Sequence, residues 1–308
     1  MRILVVGGSG FIGQHVVAKL AARGESVFVP TRRLPHAREL MVHPTVTILP
    51  ADVQDEQTID TLVQGKDVVI NLVGVLHSPR AKAGQAYGEA FAAAHVELPQ
   101  RLARACAKHG VKRLIHVSAL GASPNGTSEY LRSKAAGEAA IAEVAKGAPG
   151  LCTTVFRPSV VFGPHDKFMN MFAGLAKWFF VLPLAGSKAR MQPVYVDDVA
   201  RAILNAMDQS ATCGQTYDLA GPQVYTLGEL VSLAAKYSGR PRPVVDLPMS
   251  IGRIQAWFFE CLPGDPLMSR DNLDSLQTDN VSDKPIDPIL DVIPTPLEAV
   301  APTYLKSY

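Results

Sequence analysis

The sequence predicts a doubly wound α/β fold, a parallel sheet with helices on both faces, joined to a smaller and mainly helical C-terminal lobe. Two observations carry this expectation. The chain opens on an apolar, β-branched run at 2–6 with no polar alternation, which reads as a strand buried on both faces. Strand-like and helix-like segments then alternate roughly every 20 to 40 residues as far as residue 117, the rhythm of strand–helix–strand units. A chain of 308 residues that is 47% hydrophobic can bury the core such a sheet needs.

The first strand breaks into Gly7-Gly8-Ser9-Gly10-Phe11-Ile12-Gly13, and residues 14–23 show helical periodicity. Strand, glycine turn and helix, in that order, form the setting in which such a motif binds a dinucleotide. Gly7 can take the tight turn, Gly10 lets main-chain N–H groups near a pyrophosphate, and Gly13 lets the helix lie close on the strand. Ser9, Phe11 and Ile12 complete the turn at the positive end of the helix, which faces the phosphates. The second strand, 25–30, ends at Thr31-Arg32-Arg33. A carboxylate here would bind a ribose 2′-OH, whereas arginine accommodates a 2′-phosphate. With two arginines and no Asp or Glu, NADP(H) is the expected cofactor. Solvated loop charge is the other reading of Arg32 and Arg33.

A third strand at 45–49 leads into Ala51-Asp52-Val53, the turn that edges an adenine in this architecture; Asp52 equally suits a cap for a helix starting near Gln54. A fourth strand at 67–73 ends at Gly74, which permits close approach to a cofactor. One long helix is expected over 85–109, then a fifth strand, Arg113–Val117, ending at Ser118. Twelve residues on, Tyr130 and Lys134 stand four apart near the start of an alanine-rich helix, on one face. A lysine ammonium beside a phenol is expected to lower the tyrosine pKa for acid–base work. Ser118, at the carboxyl end of a parallel strand, points into the crevice where such sheets bind ligands.

These residues resemble the short-chain dehydrogenase/reductase superfamily with its Rossmann-type sheet, in the extended or atypical branch. Further matches are 156–164 (F-R-P-S-V-V-F-G-P), 193–200 (P-V-Y-V-D-D-V-A) and 216–222 (T-Y-D-L-A-G-P). With the tail, 267–272 and 295–302, the combination is most similar to the group containing the NAD(P)H-binding, dehydrogenase-like accessory subunit of respiratory complex I and its bacterial relatives. The resemblance covers essentially the whole chain. It implies the pyrophosphate turn at Gly7, Gly10 and Gly13, the 2′-phosphate contact at Arg32, and the adenine edge at Asp52 and Val53. It also implies that Pro158, Ser159 and Val160 meet the nicotinamide amide, and that Ser118, Tyr130 and Lys134 form the catalytic set, Lys134 also holding the nicotinamide ribose. One departure stands out: extended members often carry Asn in the helix before the fifth strand, where this sequence has His95-Val96-Glu97. His95 reads as a packed or capping residue.

Residues 1–165, with 190–222 returning to it, are expected to form the cofactor domain, and 166–189 with 223–308 the substrate lobe and C-terminal arm. Two stretches of the lobe, 168–184 and 249–262, hold both tryptophans and six phenylalanines. They read as lobe core, or as an apolar channel or surface for a lipophilic ligand, a membrane or a partner. The tail after Pro263, rich in Pro, Asp and Ser, reads as an arm with little structure of its own. A net charge of +2 without a basic block implies no nucleic-acid surface. Four scattered cysteines read as buried thiols, and neither they nor the histidines have metal spacing. No signal peptide or spanning helix is expected, which suggests the cytoplasm, with the inner-membrane periphery as the alternative. The expected function is an NADP(H)-dependent oxidoreductase acting on a small, lipophilic carbonyl or quinone-type substrate. The rivals are a non-catalytic NADPH-binding accessory or assembly protein, in keeping with respiratory-complex association, and a sugar-nucleotide epimerase or dehydratase. The apolar lobe offers little to a sugar diphosphate.

Overall fold

The computed structural model describes residues 1–264 and 266–306. In chain order it forms β1 (Arg2–Val6), α1 (Phe11–Ala22), β2 (Ser26–Thr31), β3 (Val46–Pro50), α2 (Glu56–Val63), β4 (Val68–Asn71), α3 (Glu89–Phe91), α4 (Leu98–His109), β5 (Arg113–Val117), α5 (Glu129–Lys146) and β6 (Cys152–Pro158). There follow β7 (Val161–Phe162), α6 (Phe168–Trp178), β8 (Leu182–Ala185), β9 (Arg190–Met191), β10 (Val194–Tyr195), α7 (Val196–Asp208) and β11 (Thr216–Leu219). The last elements are β12 (Tyr225–Thr226), α8 (Leu227–Tyr237), β13 (Val244–Leu247), α9 (Met249–Glu260), α10 (Arg270–Ser275) and α11 (Leu297–Leu305).

Seven parallel strands make the central sheet in the order β11-β6-β5-β4-β1-β2-β3. The unbroken apolar run of β1 follows from burial on both sides. Ile3 and Val5 pack with Val16, Val17 and Leu20 of α1 and with Val199 and Ile203 of α7. Leu4 and Val6 face the other way, toward Ile59, Leu102, Leu114 and Ile141. The strand order reverses between β1 and β4, and that switch point opens the crevice beyond their carboxyl ends. A third core, around Phe162, Met169, Leu184, Leu230 and Leu297, belongs to the later elements.

Four expectations are corrected. The stretch 85–109 is not one helix: α3 passes into a π-helical turn, Ala92–Glu97, before α4. Pro99 has no N–H for the carbonyl of His95 four residues back, and the Leu98 N–H bonds five back, to Ala93. The tail is not a bare arm. It carries α10, a 3₁₀ turn at Pro288–Leu290 and α11, and it buries Leu273, Leu290, Leu297, Ala301 and Leu305. Its polar residues bond into the body of the protein. Thr295 donates through N–H and hydroxyl to the buried Asp198, and the Tyr304 hydroxyl donates to the buried Asp166.

The cysteines are not four buried thiols either. Cys152 and Cys213 form a disulfide, Cys106 is buried and Cys261 is exposed. Their sequence separation of 61 hides a close approach that arises only when β11 pairs with β6. Finally, the aromatic stretches are only partly core. Phe168 and Phe172 pack inward, but Trp178, Phe179, Phe180, Trp257 and Phe258 are exposed, Trp178 and Phe180 at 78%.

Candidate active site

The glycine turn has the geometry its sequence promised. Gly7 has φ +83°, and a Cβ there would stand 3.0 Å from the main chain of Leu72 and Val73, so the loops after β1 and β4 touch. A Cβ on Gly13 would stand 2.3 Å from the Gly7 carbonyl oxygen. Helix α1 begins at Phe11 with Gly10 as its cap, no side-chain cap and no acidic residue in its first turn. Its first main-chain bond runs from the Gln14 N–H to the Gly10 carbonyl, which leaves the N–H groups of Phe11, Ile12 and Gly13 pointing out of the helix end. This positive, unblocked end beside Ser9 fits a pyrophosphate.

Thr31 ends β2, its hydroxyl bonded to the N–H and carbonyl of Arg33. The side chains of Arg32 and Arg33 are exposed, and among the described residues neither joins an ion pair. Asp52 is exposed and accepts from the Gln54 N–H, while Asp55 caps α2 through Thr58, so Asp52 is not the cap. Val53 beside it packs partly on the core.

Across the switch point, α5 presents Tyr130 in its first turn and Lys134 one turn on. Lys134 is buried and donates to the Val117 carbonyl at 3.3 Å, directly before Ser118. Its Nζ also lies 3.3 Å from the place of a Cβ on Gly74 and 5.9 Å from the Tyr130 ring centre. The Ser118 hydroxyl is buried and has no hydrogen-bond partner among the described residues. The structure thus draws Gly74, Ser118, Tyr130 and Lys134 to one place. The acid–base tuning differs from the expectation: burial, and then the Asp271 carboxylate, push the Tyr130 phenol up to about 12. Burial brings Lys134 down to about 8. The lysine contacts the strand carbonyl in preference to the phenol, so it does not lower the tyrosine.

Three groups around this place, Asp271, His116 and Asn280, were not singled out by sequence. Asp271 of α10 accepts from the N–H groups of Glu129 and Tyr130, and so caps α5 from the tail. His116 lies two residues before Ser118, on the same strand face, and its Nδ1 pairs with Asn71 at 3.1 Å. That period-two relation was the available signal. Asn280 accepts from the Ser159 hydroxyl and the Val160 N–H and donates to the Leu120 carbonyl. The Ser159 N–H meanwhile serves Leu219, so the main-chain donors assigned to a nicotinamide amide at Pro158-Ser159-Val160 are already engaged. His95 is buried, accepts from the Val75 N–H, pairs with Ser133 and stacks on Phe91. Burial and Lys134 hold it down at about 2, a neutral packed ring as its sequence suggested.

Comparison with known proteins supplies the family. Residues 3–220 match the NAD dependent epimerase/dehydratase family. The chain is 34% identical over 302 residues to the Mus musculus mitochondrial protein named NADH dehydrogenase (ubiquinone) 1 alpha subcomplex subunit 9, covering 96% of this chain and 77% of that one. It is 28% identical over 299 residues to the 2-alkyl-3-oxoalkanoate reductase of Stenotrophomonas maltophilia, covering 88% and 87%. A crystal structure of UDP-glucuronic acid 4-epimerase from Bacillus cereus superposes with a TM-score of 0.71 at 20% identity, over 100% of this chain and 99% of that one. The last is a likeness of fold.

Proposed function

Because the chain belongs to the NAD dependent epimerase/dehydratase family, whose extended short-chain dehydrogenase/reductase pattern it carries, we propose that it is an NADP(H)-binding oxidoreductase acting on a lipophilic carbonyl or quinone-type compound. The observation that carries this reading is the gathering of half-buried Tyr130 and buried Lys134 beside the carboxyl end of β5, where the Ser118 hydroxyl has no hydrogen-bond partner among the described residues. Gly7, Ser9, Gly10, Phe11, Ile12 and Gly13 would hold the pyrophosphate, Thr31, Arg32 and Arg33 the 2′-phosphate, and Asp52 and Val53 the adenine edge. Gly74 leaves room for the nicotinamide ribose, which Lys134 would bind. The bound cofactor supplies a hydride.

The protein's own residues do the rest. The Ser118 hydroxyl donates to the substrate oxygen and orients it. Tyr130, which keeps its proton at neutral pH, gives that proton to the same oxygen. Lys134, a cation below about 8, would hold the ribose of the cofactor and anchors the end of β5 through the Val117 carbonyl, directly before Ser118. The similarity to a 2-alkyl-3-oxoalkanoate reductase supports the substrate class. The working place proposed is the cytoplasm or the periphery of the inner membrane.

The test is direct. The purified protein should carry or bind NADPH and oxidise it against a panel of alkyl ketones and short-chain quinones. Tyr130→Phe should keep NADPH and lose roughly a hundredfold or more of the turnover, and Lys134→Ala should lose both. Full activity in Tyr130→Phe would overturn the mechanism. The similarity to a complex I subunit favours a second reading, an accessory protein that holds NADPH as a structural ligand. Tight NADPH with no oxidation by any panel member would decide for it.

A further inference from the structure

We propose that the exposed aromatic face built from the end of α6 and from α9 is a docking surface for an anionic lipid bilayer. Among the described residues, eleven of the eighteen exposed large apolar side chains fall in two short stretches of chain, Trp178, Phe179, Phe180 and Val181 in the first, and seven from Val245 to Leu267 in the second. The fold joins these stretches. Residues 179–181 lead into β8, β8 pairs in parallel with β13, and α9 leaves β13 and packs back on β8.

Helix α9 is amphipathic the wrong way round for a globular surface. Gly252 and Ala256 face the protein, where a Cβ on Gly252 would stand 2.3 Å from that of Ala185. Ile251, Ile254, Phe258 and then Leu262, spaced at three to four residues, face outward with Trp257 beside them. Burying large side chains against solvent-free protein is the ordinary solution, so an outward stripe of this size marks a surface that something covers.

Charge selects the occupant. The basic side of the face is its α6 side. Between Lys167 and Lys188, and between Leu230 and Val245, the chain has no Asp or Glu and carries Lys167, Lys177, Lys188, Lys236, Arg240 and Arg242. The stretch 245–267, by contrast, holds Asp246, Glu260 and Asp265 against Arg253, with Glu260 paired to Arg270. Arg240 and Arg242 donate to the carbonyls of Lys177 and Ala176, at the end of α6, directly before the Trp-Phe-Phe run. The Arg242 guanidinium lies 4.9 Å over the Phe180 ring. Aromatic side chains at the acyl boundary, with guanidinium and ammonium groups at headgroup level, are how an interfacial segment holds a negatively charged leaflet. No described helix is long and apolar enough to cross a membrane, so the contact is with one leaflet.

The inference goes beyond the proposed reaction and does not depend on it. Both tryptophans of the chain, Trp178 and Trp257, sit in the face and report on it directly. The full chain is mixed with phosphatidylcholine vesicles, with and without about one third phosphatidylglycerol, and followed by co-sedimentation and tryptophan emission. The expected result is co-sedimentation with the anionic vesicles, a blue-shifted emission quenched by brominated lipid, and weakening by salt. Phe180→Asp with Phe258→Asp should abolish binding, and Arg240→Glu should weaken it at least about fivefold. Circular dichroism and NADPH affinity should match the wild type, because these side chains are exposed and belong to none of the residues assigned to the cofactor. Absence of vesicle binding, or equal binding to neutral vesicles, overturns the proposal. So does a wild-type dimer that Phe258→Asp converts to monomer without any lipid effect, which would assign the face to a second copy.

Discussion

Gly13 meets the tightest restraint in the glycine turn, since an added Cβ would overlap the Gly7 carbonyl and the Gly8 main chain, at 2.3 and 2.6 Å. Neither neighbour can move without moving β1. Gly13→Ala should therefore cost about 1–3 kcal/mol in urea denaturation and lose most NADPH binding. Arg32 is a milder case: its exposed guanidinium awaits a partner, and a charge-assisted bond contributes about 1.5–3 kcal/mol. Arg32→Ala should lower NADPH affinity roughly ten- to a hundredfold and leave NADH affinity nearly unchanged; equal losses for both would point to NAD(H). Lys134 gives a pH signature. The folded protein holds it at about 8, below its ordinary 10.5. Below pH 8 both folded and unfolded chains carry the proton, and the folded chain bears the full cost of burying it. From about 8 upward the unfolded chain holds more proton, so stability rises with pH, by up to ~3 kcal/mol in all. Lys134→Met should be more stable than wild type at pH 7, with the difference shrinking between pH 8 and 10. A constant difference across that range would remove the assignment. Gly7, Gly13, Tyr130 and Lys134 were legible because their spacing is local. The side chains of Asp271 and Asn280 lie more than a hundred residues from the groups they bond, and nothing near them in sequence marks the contact.

At the scale of elements, apolar runs located five of the seven strands of the central sheet, β1 to β5, whereas β6 and β11 were touched only by the stretches 156–164 and 216–222 that carry the family resemblance. Periodicity missed the break in 85–109. Proline inside a helical pattern permits a kink, a stop or a π turn, and the pattern of apolar residues alone does not choose. Here the choice depends on α5. A Cβ on Gly137 would stand 1.9 Å from the His95 carbonyl oxygen, so the displaced carbonyl of the π turn fills the room a methyl group would need. Gly137→Ala should force the two helices apart, costing about 1–3 kcal/mol by urea denaturation. It should also loosen the His95–Ser133 pair, which the histidine's NMR signal would report. Unchanged stability would mean that the turn yields at no cost. The direction in which α9 faces was illegible for a related reason: an aromatic-rich helix has the same composition whether its large residues point in or out.

Across the whole molecule, residues 266–306 stitch separate regions together. Asp271 caps α5, Asn280 bridges β6 and the loop after β5, Thr295 satisfies Asp198 on α7, and Tyr304 satisfies Asp166 before α6. Composition hid this role, because Asp, Asn and Thr look solvated until their partners are known. Tyr304→Phe removes a hydrogen bond to a buried carboxylate and should cost about 1.5–3 kcal/mol, measured as a lower urea midpoint with an unchanged slope. The stitching also sets an order of events during synthesis. Every residue of this stretch leaves the ribosome after the surfaces it closes, and N-terminal parts of a chain begin to fold first. The nascent sheet therefore waits with α5 capped by Ser128 alone, the Glu129 and Tyr130 N–H groups lacking Asp271, and with Asp166 and Asp198 short of their partners. A ribosome-stalled chain ending at Gly264 should be cut by protease at α5 and α7, and a chain released after residue 306 should resist. The cofactor crevice would then be finished by translation's late output, so pauses upstream of Asp271 would lengthen the time the protein spends open to chaperones.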